Sequence, residues 1–497
     1  MPKSVSIDTS MPVSSPSVFR LHLSNEPSSL DPNKQKTSAS SYLLGNLFRN
    51  FFTFDDQKGL LPDLGESCTR AKDKSLTCKI KKDQQWSDGS PITSEDFIRT
   101  YKKILNPKTA APRADFLFKI KNALEIYKGE KDPGTLGISA PDRWTLKFEF
   151  SEPDPDFEYN LASFILAPTK DNLEVASGSV SGSVFGLIVS GPYKLKEWKK
   201  GQRLILEPNL KYQMGHPKRP QVEFLFIEED TVALQLYEKN ELQFLRRLPT
   251  LFIPNYKDRK DFYWIPVTRF DYIGFGPELA DQEDLRKAFI YSLNYEELQK
   301  IFSSKGRPGC AGLPDSWFPS KAPCFNYDLK KVPAVKSSKT YTLMFSALGG
   351  EDHKRATEWM QDQWSKNAHL KTNLQVKENK IYLAELQNKT PALFRKGVAP
   401  DRPTCLAALE TFGPLSAENY LRLNSPEYKK ILDSLGKSSK PVEQKKLCLE
   451  GVEYLMNHHL LIPMGAIHFS ILAKKEFTGW KLNQMNQLDL SQLHSGP

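Results

Sequence analysis

This chain contains no long apolar run. Its hydrophobic stretches are short and interrupted, none approaching the roughly 18–20 residues needed to span a bilayer. A membrane-crossing helix is therefore not expected. Catalytic signatures are absent as well: no HExxH, GxSxG, Walker A or GxGxxG pattern occurs. Ser434-Leu435-Gly436-Lys437 fits the SxxK spacing, but it falls at an expected helix end among other Ser and Lys residues and reads as chance. His458-His459 are adjacent, so on a helix they diverge and do not share a metal as an i, i+4 pair would. No metal and no cofactor are expected, and nothing favours an enzyme, although a triad is spatial and needs no local motif.

Cysteine is sparse, and no CxxC pair exists among the six, which argues against a zinc knuckle or a thioredoxin-type site. Cys68 and Cys78 flank a polar turn, and Cys310 and Cys324 bracket a Pro/Gly-rich loop. Each pair is a disulfide candidate in an oxidising compartment; free, half-buried thiols are the alternative. Residues 1–16 have no apolar segment of the signal-peptide kind and read as a flexible lead-in. There is no internal repeat.

What is present is a chain of 497 residues, too long for one core, with 39% hydrophobic and 11% aromatic content, as a folded protein has. Its formal charge of +10 comes from 69 basic and 59 acidic residues. The basic side chains are spread along the whole length instead of concentrated on one strip, so nucleic acid is not the expected partner.

Val18–Leu23 alternates with the period of a half-buried strand, and residues 41–52 carry a helical apolar stripe of Leu43, Leu44, Leu47, Phe48 and Phe51. Residues 55–185 read as a separate α+β unit, closed by the Gly/Ser tract 177–183. Within it, Thr93 caps a helix over 94–105, with Asp96 completing a short capping box. From about Ile273 short strands alternate with helices, the latter expected at 283–292, 296–304, 353–367, 426–435 and 442–457; this indicates an α/β lobe.

Three motifs carry a resemblance. Trp86-Ser87-Asp88-Gly89-Ser90-Pro91-Ile92-Thr93-Ser94-Glu95-Asp96-Phe97 is the fullest. Ser29-Leu30-Asp31-Pro32 precedes it, and Ser190-Gly191-Pro192-Tyr193-Lys194-Leu195 follows with Trp198, Asn209 and Tyr212. In this order and spacing they resemble the periplasmic oligopeptide-binding proteins of peptide ABC importers, the bacterial extracellular solute-binding family 5. The resemblance implies an α/β, two-lobed clamp of the type II periplasmic-binding-protein kind with an extra α+β domain. Two connecting segments would form the hinge, near Phe270–Ile273 and Ile471–Lys475. Lobe I would comprise 17–54, 186–272 and 475–497, the extra domain 55–185, and lobe III 273–474.

The resemblance also implies a non-enzymatic receptor for oligopeptides, murein peptides being one candidate. It would serve a membrane ABC permease from the periplasm or cell envelope, as a monomer, with its signal peptide already removed and a lipid anchor open for the precursor. The alternatives are a cell-envelope peptide or murein hydrolase or transferase, and a same-fold binder of a nickel complex, haem or sugar.

For the ligand site, Phe394-Arg395-Lys396-Gly397-Val398-Ala399-Pro400-Asp401-Arg402-Pro403-Thr404 resembles the lobe III segment of the family. Carried over, Asp401 would accept the peptide's α-ammonium and Arg395 would be a neighbouring orienting cation. The plain alternative is that Asp401 pairs with Arg395 or Arg402 in a surface turn. Gly397-Val398-Ala399 and Lys36-Thr37-Ser38 would offer backbone edges to an extended peptide. Tyr272, at the hinge, completes the expected set. Val398 stands where an aromatic is usual, Lys36 where an acid is, and Arg113 where a tyrosine is. If the two basic residues face the cleft, it favours acidic or carboxylate-rich ligands.

Overall fold

The computed structural model describes residues 18–35, 40–170, 186–302, 306–347, 350–414, 416–438 and 440–496. The lead-in, the Gly/Ser tract and Lys36, Thr37 and Ser38 lie outside the described residues.

One ten-stranded sheet runs through both lobes. On one side stand Tyr193–Lys199, Arg203–Pro208, Gln221–Phe226, Val18–Leu23 and the short Phe244–Leu245; on the other stand Leu393–Val398, Thr340–Ser346 and Lys371–Lys377. Two long antiparallel strands, Phe262–Phe275 and Leu461–Ala473, join the halves. Each reaches into both. Phe262–Phe275 pairs with Leu393–Val398 at its end, and Leu461–Ala473 pairs with Phe244–Leu245 at its own.

The ladder between these strands is irregular at the middle, with register shifts between Pro266 and Phe270 and between Phe270 and Tyr272. Phe270 faces Ala466, next to Gly465 with its φ of 92°. The crossing on the returning strand therefore lies near Gly465, earlier than the Ile471–Lys475 expected from sequence. Ile471 and Leu472 pair with Tyr263 and Phe262, well inside the first lobe.

Buried apolar residues divide at this crossing. A core of the last lobe runs from Phe270 to Met464. A second contains Phe19, Leu21, Phe224 and Ile471 together with Phe97, Leu146 and Leu166. The inserted unit therefore shares its core with the first lobe. Phe48, Phe51 and Phe52 make the join, with the Phe51 ring 4.6 Å from that of Phe97. This also ends the helix predicted over 41–52 early, at Leu47. Phe48 turns to extended backbone, and Arg49 and Asn50 bond to Asp489 and to the Ser163 carbonyl. The chain is buried on all sides there, so the apolar spacing reports two strand-like contacts instead of one more helical turn.

The inserted unit carries a four-stranded antiparallel sheet and the helix Ser94–Leu105. The Thr93 backbone N–H donates to the Asp96 carboxylate at 2.8 Å, the reciprocal half of the expected capping box. Gly89 has a φ of 87°, which only glycine adopts cheaply, and turns the chain so that Ser87 bonds Val189 in both directions. The Ser29–Pro32 motif is structural too: Asp31 caps a short turn through the Asn33 N–H and receives Lys103 Nζ at 2.9 Å.

Disulfides join Cys68 to Cys78 and Cys310 to Cys324, the two candidate pairs. A third, Cys405–Cys448, was not anticipated; it ties Cys405–Glu410 to Pro441–Asn457 across 43 residues of sequence. Among the described residues no helix is long and apolar enough to cross a membrane, and no group of His, Cys, Asp or Glu is placed to hold a metal ion.

Candidate functional site

The antiparallel register fixes which side chains share a face, because directly paired residues point the same way. Asp271 pairs with Gly397 and Ile273 with Arg395, so Asp271 and Arg395 lie on one face of the sheet. Tyr272 and Val398 lie on the other, where both are buried in the core of the last lobe. The Tyr272 ring packs on Phe394 and Phe412, and burial holds its hydroxyl well above the usual phenol range. The expected set is thus split: Arg395 and Gly397 on the Asp271 face, Tyr272 and Val398 in the core behind it. Ala399, just past the strand, is exposed.

On the Asp271 face cations converge. Arg395 is buried and makes an ion pair with Asp271, and its Nη2 lies 3.0 Å from His353 Nε2. Arg269 Nε donates to the same carboxylate at 2.9 Å while 35% of its side chain stays uncovered. Two guanidiniums thus share one buried acid. Gly397 is required there, since a Cβ at that point would overlap the Asp271 carboxylate and the Arg269 guanidinium. Burial, then the neighbouring Arg269 and Arg247, hold the Arg395 pKa below its ordinary value. Burial and the same two arginines push the His353 imidazole down to about 3, so it is neutral at ordinary pH. Among the described residues, Arg395 Nε and His353 Nδ1 are buried without a hydrogen-bond partner.

This cation group sits where the lobes meet. Thr250 of the first lobe bonds Asp352, next to His353. On the other flank Thr404 donates to Asp156 of the inserted unit at 2.6 Å. Arg113, also of the inserted unit, reaches across to Asp401. Asp401 is thereby paired, with neither Arg395 nor Arg402: Arg402 goes to Glu410 at 2.7 Å. Sequence reasoning named Arg113 and Asp401 separately but not as partners. It missed Arg269, Asp271 and His353 altogether. The alternation of Arg269, Asp271 and Ile273 along one strand was the available signal.

The edges of Leu393–Val398 are unequal. One is paired with Phe262–Phe275 through Val398, whereas the parallel pairing with Thr340–Ser346 extends only over Leu393 and Phe394. The Arg395 carbonyl on that second edge is taken by the Tyr382 hydroxyl.

The third motif is also structural. Gly191 packs so closely on Leu47 that a Cβ would overlap its backbone; Asn209 donates to the Gly191 carbonyl at 2.8 Å, and Tyr212 to Asp63 at 3.3 Å.

Residues 59–419 match the family described as bacterial extracellular solute-binding proteins, family 5, middle. The chain is 24% identical over 434 residues to the periplasmic murein peptide-binding protein MppA of Escherichia coli, covering 83% of this chain and 80% of that protein. It is 24% identical over 469 residues to the periplasmic oligopeptide-binding protein OppA of Salmonella typhimurium, with 88% and 85% covered. The solved periplasmic oligopeptide-binding protein OppAIV of Borrelia burgdorferi superposes with a TM-score of 0.81 at 21% identity, covering 96% of this chain and 99% of that one. With a two-lobed mixed sheet joined by two long strands, and with a family match over most of its length, this chain belongs to the bacterial extracellular solute-binding proteins, family 5.

Proposed function

We propose that this protein captures oligopeptides between its lobes and presents them to a membrane ABC permease, in the periplasm or at the cell envelope, as a monomer. One observation carries the ligand chemistry. Arg269 and Arg395 share the acid Asp271 where the lobes meet, and among the described residues Arg395 Nε and His353 Nδ1 beside them lack partners. Two guanidiniums on one carboxylate leave a positive charge unmatched, and Arg269, 35% uncovered, is the one a guest acceptor can reach. An anionic group answers both needs. The preferred ligand is an acidic or carboxylate-rich peptide, a murein peptide being one candidate, in line with the name of the Escherichia coli relative. The leading end of the ligand would lie toward Asp401 and Arg113, and its main chain along the part-open edge that ends at Gly397–Ala399. Lys36, Thr37 and Ser38 are proposed to face it from the first lobe.

The chain acts as a binder and not as a hydrolase or transferase. The His353 ring is bonded to Arg395 instead of to a hydroxyl or thiol, and burial keeps it from taking up a proton. Closure of the lobes over the guest would be the whole mechanism, with binding shifting the population toward the closed state. Calorimetry with a matched acidic and basic peptide pair tests the reading. The acidic peptide is expected to bind more tightly; tighter binding of the basic one contradicts it.

A further inference from the structure

Cations outnumber acids on both sides of the lobe junction. Asp271 is shared by Arg269 of the hinge strand and Arg395 of the last lobe. On the first lobe, Asp230 lies 3.4 Å from Arg247 Nε, while Arg246 donates to Ser24 Oγ at 2.9 Å and makes no ion pair among the described residues. Glu228 and Glu229 beside Asp230 are exposed. His22, 3.5 Å from Asp230, has its pKa lowered by burial and adds no charge at neutral pH. Asp352 is matched by Arg355 at 2.6 Å. One positive charge is therefore left over on each lobe. Arg247 is held where it can reach across. Leu245 pairs with Leu472, and the Leu248 N–H donates to the Ser470 carbonyl at 2.8 Å, so its backbone is fixed on both sides. Thr250, three residues on, bonds Asp352 of the last lobe, next to His353. The Arg247 charge is felt there: after burial and Arg269, it is the group that lowers the pKa of both His353 and Arg395. Its side chain stays 40% uncovered, much as that of Arg269 does.

We propose that Arg247 determines specificity at the far end of the ligand: together with Arg269 it selects peptides whose last residue is acidic and so brings two carboxylates. The inference rests on the peptide-receptor reading above, in which the leading end lies toward Asp401 on the other flank and the far end lies here. A lone terminal carboxylate offsets one surplus charge and leaves the other in a partly desolvated gap, where like charges repel. A second carboxylate on the same residue offsets the other and accepts charge-assisted hydrogen bonds from the second guanidinium. The two guanidiniums belong to the first lobe and to the hinge strand beside the last lobe. A ligand that bonds both therefore does so in the closed state and raises its population.

The test is calorimetry on the full chain, stripped of ligand by unfolding and refolding with its disulfides intact. Three alanine-based pentapeptides are compared: one ending in Glu, one ending in Gln, and one ending in Gln with Glu at its second position. The third carries the same charge as the first in a different place. The parent is expected to bind the Glu-ended peptide about tenfold tighter than either of the others, the factor that one charge-assisted contact supplies. Arg247→Gln should erase that ratio. Arg247→Lys keeps a cation and should keep the order; thermal unfolding checks that both variants fold. A parent that binds the second-position Glu as tightly as the terminal one responds to overall charge, which overturns the inference and leaves the peptide reading standing. So does equal affinity for the Glu-ended and Gln-ended peptides, an unchanged ratio in Arg247→Gln or a lost order in Arg247→Lys. A parent that binds none of the three overturns both.

Discussion

The hydroxyl of Thr404 donates to the buried carboxylate of Asp156, 2.6 Å away, and so ties the last lobe to the inserted unit. Thr404 also caps its own helix, accepting from the Ala407 N–H at 3.3 Å. One side chain therefore fixes both the helix that follows the ligand segment and the lobe contact across from it. Thr404→Val keeps the shape and removes both bonds. It leaves Asp156 buried with less support, a cost of about 1–3 kcal/mol, most of it borne by the closed state. Small-angle scattering with saturating peptide is expected to show a more open average shape than the parent, and affinity is expected to fall by about tenfold or more.

Among the described residues Asp271 is the one acid that Arg269 and Arg395 share. Removing one partner of a buried ion pair strands the other charge, which typically costs about 3–5 kcal/mol. Asp271→Ala strands two cations. Its unfolding midpoint in urea is expected to drop well below that of the parent, and the loss should be partly restored by a high concentration of a small carboxylate such as acetate. A variant as stable as the parent would show that the arginines are solvated in the free protein.

The His353 imidazole gives a pH signature. Its folded pKa of about 3 lies below the unfolded value, near 6.5, because of burial and then Arg269 and Arg247. The unfolded chain therefore binds the extra proton first. The contribution of this residue is complete above about pH 6.5 and is lost as pH falls toward 3, by up to about 1.4 kcal/mol per pH unit. Asp352, next in the chain, is the carboxylate that opposes this. His353→Gln is expected to flatten the stability–pH curve between pH 6 and 4. Chemical unfolding at several pH values measures it.

Much of the architecture could be read from local signals. The capped helix Ser94–Leu105 and the strand Val18–Leu23 came out with the expected bounds, and the Asn294 cap of Tyr295–Ile301 is bonded to the Glu296 and Glu297 N–H groups. Local sequence decides those features. The Leu461–Ala473 strand is harder to read, because Pro463 and Gly465 look locally like a break in a strand. They are tolerated by the irregular crossing opposite Phe270 and Tyr272. The site was harder. Arg395 and Asp401 are close in sequence, yet their partners, Asp271 and Arg113, come from other parts of the chain. No spacing rule announces a contact that only the sheet register or lobe closure creates.

Cys405–Cys448 follows the same logic, since its cysteines sit on two helices 43 residues apart. In the chain-entropy picture a loop of that length stabilises by about 4 kcal/mol, against about 3 kcal/mol for the 10-residue loop of Cys68–Cys78. The double variant Cys405→Ala/Cys448→Ala is therefore expected to lose more stability in urea than Cys68→Ala/Cys78→Ala. Alkylation of the unfolded, unreduced protein should label no thiol.

The central claim is that two lobes shut over an anionic peptide and release it whole. Exposing the ligand-stripped protein to a defined peptide pool, isolating it by gel filtration, unfolding it and reading the released material by mass spectrometry tests this directly. The account predicts that intact, carboxylate-rich peptides are enriched over the starting pool. Release of shortened peptides, or of none at all, would contradict it.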